Sequence, residues 1–260
     1  MTGGELVHLE VADGTATVTL DSPANRNALS RQLRAELRDR LESALADPAV
    51  RVVVLTHTGP VFCAGMDLKE ARGAGADQQG IQEFPALLEA LWTSPKPSVA
   101  RLTGPARAGG VGLVAACDIA LAADTVSFAF TEVRLGLVPA VISVPVLPRL
   151  LPRAAHELFL TGEVFDAARA VDIGLLNACI PADRLDAEVA RFVEMLILGG
   201  PEALAATKLL LTAGTAESFG AALGAATELS ARHFASEEGQ EGIAAYADKR
   251  PARWVPGPGA

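Results

Sequence analysis

Residues 104–140 read GPARAGGVGLVAACDIALAADTVSFAFTEVRLGLVPA. Gly109-Gly110 opens an apolar run that has the composition of a short buried helix and ends near Cys117. Ile119–Ala123 follows as a strand, and Ser98–Leu102 precedes as another. Strand, helix and strand joined by short links imply a parallel sheet with helices outside it. The glycine pair places free backbone N–H groups at a helix N-terminus. Farther along, Glu132 lies between Phe128–Phe130 and Leu135–Val138. A carboxylate with little water around it has a raised pKa. Donors and a tunable base in one segment point to chemistry on a carbonyl compound.

The flanks extend this α/β pattern. Leu6–Val11 and Thr15–Leu20 alternate around Ala12-Asp13-Gly14 and predict a β-hairpin. Ser30 is placed to cap a helix to about Leu45, with apolar positions at Leu33, Leu37, Leu41 and Ala44. Arg51–Thr56 reads as a strand buried on both faces. Residues 71–80 are small and polar and read as a loop; Ile81–Trp92 reads as a helix. Beyond Pro139 the pattern turns helical, over 141–151, 153–161, 166–173, 184–198, 201–213, 217–235 and 237–247. The tail PARWVPGPGA reads as frayed.

Bulk composition excludes several classes. With 260 residues, half of them apolar, the chain can build one large core. A net charge of −9 argues against nucleic acid or an anionic membrane as the main partner. Cys63, Cys117 and Cys179 are odd in number and far apart, which fits a reducing cytoplasm and indicates neither a disulfide framework nor a metal site. The N-terminus lacks the pattern of a signal peptide, and no apolar run reaches the length of a membrane span. No H-x-x-x-H, G-x-S-x-G or phosphate-loop motif occurs.

Each candidate site feature also has a plain structural reading. Taken alone, Gly109-Gly110 reads first as a tight strand-to-helix turn. Gly110-Val-Gly112-Leu-Val-Ala115 matches a dinucleotide fingerprint, but its helix is short and Thr103–Ala108 separates it from the preceding strand. Phe62–Leu68 lies at the carboxyl end of a parallel strand, where α/β sheets bind ligands; it also reads as an ordinary β–α loop. Cys63 reads as a packing residue, since sequence shows no histidine paired with it. Glu132 either acts as a base or pairs with a basic residue such as Arg134.

Together these segments resemble the crotonase superfamily, the enoyl-CoA hydratase/isomerase family. Four stretches carry the likeness: Pro23–Leu29, Phe62–Leu68, Ala108–Asp118 and Phe128–Pro139, followed by Leu160–Gly162 and Ile173–Leu175. The resemblance spans roughly residues 6–254. It implies a spiral of ββα units over residues 1–195 and a helical C-terminal region over 196–260 that forms trimers, often paired into hexamers. The ligand implied is an acyl-CoA thioester, as substrate and without a further cofactor. The N–H groups of Met66 and Gly109 match the family's oxyanion-hole donors, and Glu132 matches its proton-transferring acid. Arg26, Ala28, Ala64, Asp67 and Leu68 match positions that hold CoA. Tyr246 and Lys249 resemble C-terminal positions that reach a neighbouring subunit's CoA.

The departures bear on the reaction. The family's hydratases carry a first glutamate three residues beyond the oxyanion-hole glycine; here that residue is Gly112. Its Δ3,Δ2-enoyl-CoA isomerases also lack that acid and keep the one at the Glu132 position. Members with an Asp eight residues past the second acid are not matched, because Ala140 stands there. Thr131 replaces a usual proline, and Ala140–Ser143 replaces a glycine-rich run, which implies a reshaped acyl pocket. Arg107 is placed to meet a CoA phosphate or an acidic acyl tail. The expected function is therefore hydratase-type or isomerase-type chemistry on an unsaturated acyl-CoA. The alternatives are a non-catalytic acyl-CoA binder and a dinucleotide-dependent enzyme.

Overall fold

The computed structural model describes residues 4–71, 83–212 and 216–255. Of the loop expected over 71–80, Ala71 instead ends a short helix; residues 72–80, the start of the helix expected from Ile81 and the last five residues of the tail lie outside the described residues. In chain order the elements are β1 Val7–Ala12, β2 Thr15–Leu20, α1 Arg31–Ala46, β3 Val52–His57, α2 Leu68–Ala71, α3 Phe84–Thr93 and β4 Ser98–Leu102. Next come β5 Ala106–Arg107, α4 Gly109–Ala116, β6 Ile119–Ala123, β7 Ser127–Ala129, α5 Ala140–Val146 and α6 Pro152–Thr161. The chain ends with β8 Phe165–Asp166, α7 Ala167–Asp172, β9 Ala178–Ile180, α8 Leu185–Leu198, α9 Pro201–Thr212, α10 Ala216–Ala235 and α11 Glu237–Ala247.

The hairpin forms because Asp13 and Gly14 both take positive φ, 48° and 79°, which matches the twist of the strands they join. The Ser30 side chain accepts from the Leu33 N–H and starts α1, whose Leu33, Leu37, Leu41 and Ala44 stripe is buried. Every residue of β3 is buried, as expected for a central parallel strand. The main sheet runs β1-β2-β3-β4-β6-β9. Its first pair is antiparallel and the rest are parallel.

Two features correct the sequence reading. The region beyond Pro139 is not wholly helical: β9 returns to the main sheet beside β6, and β8 pairs with β7. A second small sheet, β5-β7-β8, thus sits apart from the first. It carries the chain from the glycine pair toward Glu132. The helix expected over 141–151 also stops at Val146.

Candidate active site

Two loops meet at the N-terminus of α4. Asn27 is fully buried and joins the loop after β2 to the loop after β3. Its amide donates to the Thr58 and Val61 carbonyls at 3.1 and 2.8 Å, and its oxygen accepts from the Ser22 N–H at 2.6 Å. The Leu29 N–H donates to the Gly65 carbonyl at 2.8 Å. Cys63 in turn bridges to Ala106, so residues 63–66 lie along residues 106–109. A Cβ on Gly65 would stand 2.9 Å from the Ala108 Cβ and 3.5 Å from the Gly109 nitrogen. With φ of +86° as well, only glycine fits this crossing comfortably.

The crossing leaves two N–H groups unclaimed. Gly109 is the first residue of α4, so its N–H has no partner within the helix. Among the described residues neither Met66 N–H nor Gly109 N–H donates to a backbone carbonyl or a side chain. Ala108 just before holds φ 48° and ψ −119°, a strained conformation for a residue with a Cβ. That strain turns the chain from β5 into α4 within one residue. Cys63 lies beneath the turn: a Cβ on Gly110 would stand 2.6 Å from its carbonyl oxygen. Burial pushes its thiol up to about 12, so it packs and is no nucleophile.

Glu132 sits on a 3-10 turn, Thr131–Leu135, which follows β7. Part of its side chain opens to the cavity, yet its Oε2 is fully buried without a hydrogen-bond partner. Burial raises its pKa from 4.5 to about 7, against a smaller opposite pull from its own backbone N–H. Arg134, the suggested ion partner, makes no salt bridge to it among the described residues.

These groups line one cavity of about 610 Å³, within the range of small-molecule sites. Of the residues singled out in the sequence, Arg26, Ala28, Ala64, Met66, Asp67, Leu68, Gly109, Glu132 and Tyr246 all reach it. Lys249 does not line it. Asp67 is committed elsewhere: its oxygens accept from Asn25 Nδ2 at 2.7 Å and from the Lys69 N–H at 2.9 Å. Arg107 lines the cavity, but its terminal nitrogens hold the Ala106 and Ser127 carbonyls and the Ser127 hydroxyl. It ties β5 to β7.

Sequence reasoning missed Phe84 and Ile142. A Cβ on Gly112 would stand 2.7 Å from Ile142 Cγ2 and 3.6 Å from Phe84 Cζ. The face where a first glutamate would project is filled by these two buried side chains, and Gly112 does not line the cavity. The Gly110–Ala115 stretch is buried throughout, with Cys63 packed against Gly110. Volume changes in the glycine-rich replacement were the only hint in the sequence.

The C-terminal helices close the cavity from within the same chain. Tyr246, on α11, lines the cavity. A Cβ on Gly242 would stand 2.0 Å from the Leu135 carbonyl oxygen, so α11 lies hard against the turn that carries Glu132. Beyond α11, Arg250 clasps the buried Glu241 carboxylate at 2.7 and 3.0 Å, and the Arg253 N–H donates to it at 3.0 Å. These bonds hold the Glu241 carboxyl at about 2 and lay Arg250–Ala252 along the cavity.

Comparison with known proteins agrees with this geometry. The family model described as enoyl-CoA hydratase/isomerase matches residues 10–256. A solved enoyl-CoA hydratase from Mycobacterium avium is 44% identical, covering 97% of this chain and 100% of its own, with a TM-score of 0.88. The enoyl-CoA isomerase/hydratase fer4 of Mycosarcoma maydis is 34% identical over 232 residues, 82% of this chain and 84% of its own. The mitochondrial enoyl-CoA hydratase domain-containing protein 3 of Rattus norvegicus is 32% identical over 246 residues, 93% of this chain and 82% of its own. The chain has the crotonase fold and belongs to the enoyl-CoA hydratase/isomerase family of enzymes.

Proposed function

We propose that this enzyme moves a double bond in an acyl-CoA thioester, from C3 to C2, with Glu132 as its one base. The observation that carries this reading is that Glu132 is the only uncommitted carboxylate among the described lining residues. Hydration needs one group to activate water and another to handle the α-proton. One carboxylate suffices for a shift. Glu132 takes a proton from C2, and the C–H electron pair moves toward the thioester carbonyl. The resulting enolate oxygen is held by the N–H groups of Met66 and Gly109, which form the oxyanion hole. The carbonyl then re-forms, C4 takes the proton back from Glu132, and the double bond settles between C2 and C3.

Other parts of the reading follow the same support. The CoA lies along Arg26, Ala28, Ala64, Asp67 and Leu68, with Tyr246 across the cavity, and the step invokes no further cofactor. Leu198, Leu209, Leu210 and Leu211 are exposed on α8 and α9 and supply an apolar face for trimers or paired trimers. The cysteines are free, which suits a reducing cytoplasm. The test is product analysis with matched 2-enoyl-CoA and 3-enoyl-CoA substrates, with Glu132→Gln beside the wild type. Conversion of the 3-enoyl substrate that outpaces hydration and vanishes in Glu132→Gln is expected. Hydration of the 2-enoyl substrate as the main activity, or turnover kept in Glu132→Gln, overturns the reading.

A further inference from the structure

Behind the cavity wall formed by Phe84 and Ile142, Gly112 sits at a joint between two helices that the mechanism above leaves without a role. Gly112 lies in the first turns of α4, and Ile142 projects from α5 into the space above it. The Phe84 ring, at the start of α3, completes the joint. Its Cζ would stand 3.3 Å from a Cβ on Gly109 and 3.6 Å from one on Gly112. Phe84 and Ile142 are buried and line the cavity, and Phe84 stands beside Gly109, whose N–H is free.

We propose that Ile142 is a specificity-determining residue: it fixes what an acyl chain can carry next to its reacting carbons. This inference rests on the one-base reading and adds the acyl side of the same site. Ile142 Cγ2 fills the volume that a substituent on that carbon, or a side chain on Gly112, would need. The wall favours unbranched chains and keeps their Gly112 face dry, since an apolar space without polar partners does not hold water. It also accounts for the missing acid: a side chain from α5 stands where a glutamate from α4 would project.

Two variants test this. Ile142→Ala removes Cγ2 and two further carbons; Ile142→Leu removes the branch at Cβ while conserving volume, so the fold is kept. In both, the ratio of kcat/KM for a 3-methyl-branched enoyl-CoA to that for its straight-chain counterpart is expected to rise about tenfold or more, the usual worth of one carbon in an apolar pocket. The double variant Gly112→Glu with Ile142→Ala is expected to hydrate 2-enoyl-CoA at least about tenfold faster than Gly112→Glu alone. An unchanged branched-to-straight ratio in both single variants overturns the proposal, and so does equal hydration by the double and single glutamate variants. Failure of the one-base reading shows separately, as C2 proton exchange with solvent deuterium that persists in Glu132→Gln.

Discussion

Gly242 and Leu135 touch so closely that no side chain fits between them: a Cβ on the glycine would stand 2.0 Å from the Leu135 carbonyl oxygen. Leu135 ends the turn that carries Glu132. Gly242→Ala therefore has to push α11 off that turn. The expected cost is about 1–3 kcal/mol of stability, read as a lower urea midpoint. Turnover is expected to fall more than stability alone explains, because displacement of a base by 1 Å is enough to cost about a hundredfold.

The raised pKa of Glu132 gives two opposite pH trends. As a base it must be ionised, so kcat/KM is expected to climb with pH and level off above about 7. Stability runs the other way. The folded state keeps its proton up to about 7, whereas an ordinary glutamate releases it near 4.5. Between those values the folded form binds more protons than the unfolded one, so this group's contribution to unfolding free energy falls as pH rises. The whole change is on the order of 3 kcal/mol. Unfolding midpoints of wild type and Glu132→Gln at pH 5 and pH 8 measure it. The variant's midpoint is expected to gain on that of the wild type at the higher pH.

Restoring the missing acid by itself is expected to fail. In Gly112→Glu the new Cβ meets Ile142 Cγ2 at 2.7 Å, and overpacking of this kind costs about 1–3 kcal/mol. The variant is expected to melt lower and to show no added hydration. A thermal scan and a hydration assay on 2-enoyl-CoA check both points. A marked gain in hydration would mean that α5 yields easily.

Asn27→Ala tests the pin between the two loops. It strips partners from the Ser22 N–H and from the Thr58 and Val61 carbonyls at a buried position. The expected loss is about 2–4 kcal/mol of stability. A higher KM for acyl-CoA is expected with it, since Arg26 and Ala28 flank the pin and line the cavity. Substrate titration beside a denaturant curve separates the two effects.

Much of this architecture was legible in the residues. Asp13-Gly14 announces its hairpin, Ser30 its helix, and the apolar run at Arg51–Thr56 its buried strand, because each depends on local conformational preference. Glu132 stood out because a lone acid among Phe, Val and Leu is costly without a purpose. The second sheet was not legible. Its strands hold two or three residues each, too few for alternation to register. Nor was the plug at Gly112. It depends on volumes matched between two positions thirty residues apart, and the local pattern carries only the bulkier Ala140–Ser143 run as a hint of it.

The packing of α11 on the turn that carries Glu132 ties the base to the far end of the chain. Glu241, clasped by Arg250 and met by the Arg253 N–H, anchors the segment that runs on from α11 along the cavity. An ion pair remote from the base in sequence therefore governs how dry the base is kept. Loosening that far latch is expected to bring the Glu132 carboxyl back toward an ordinary glutamate.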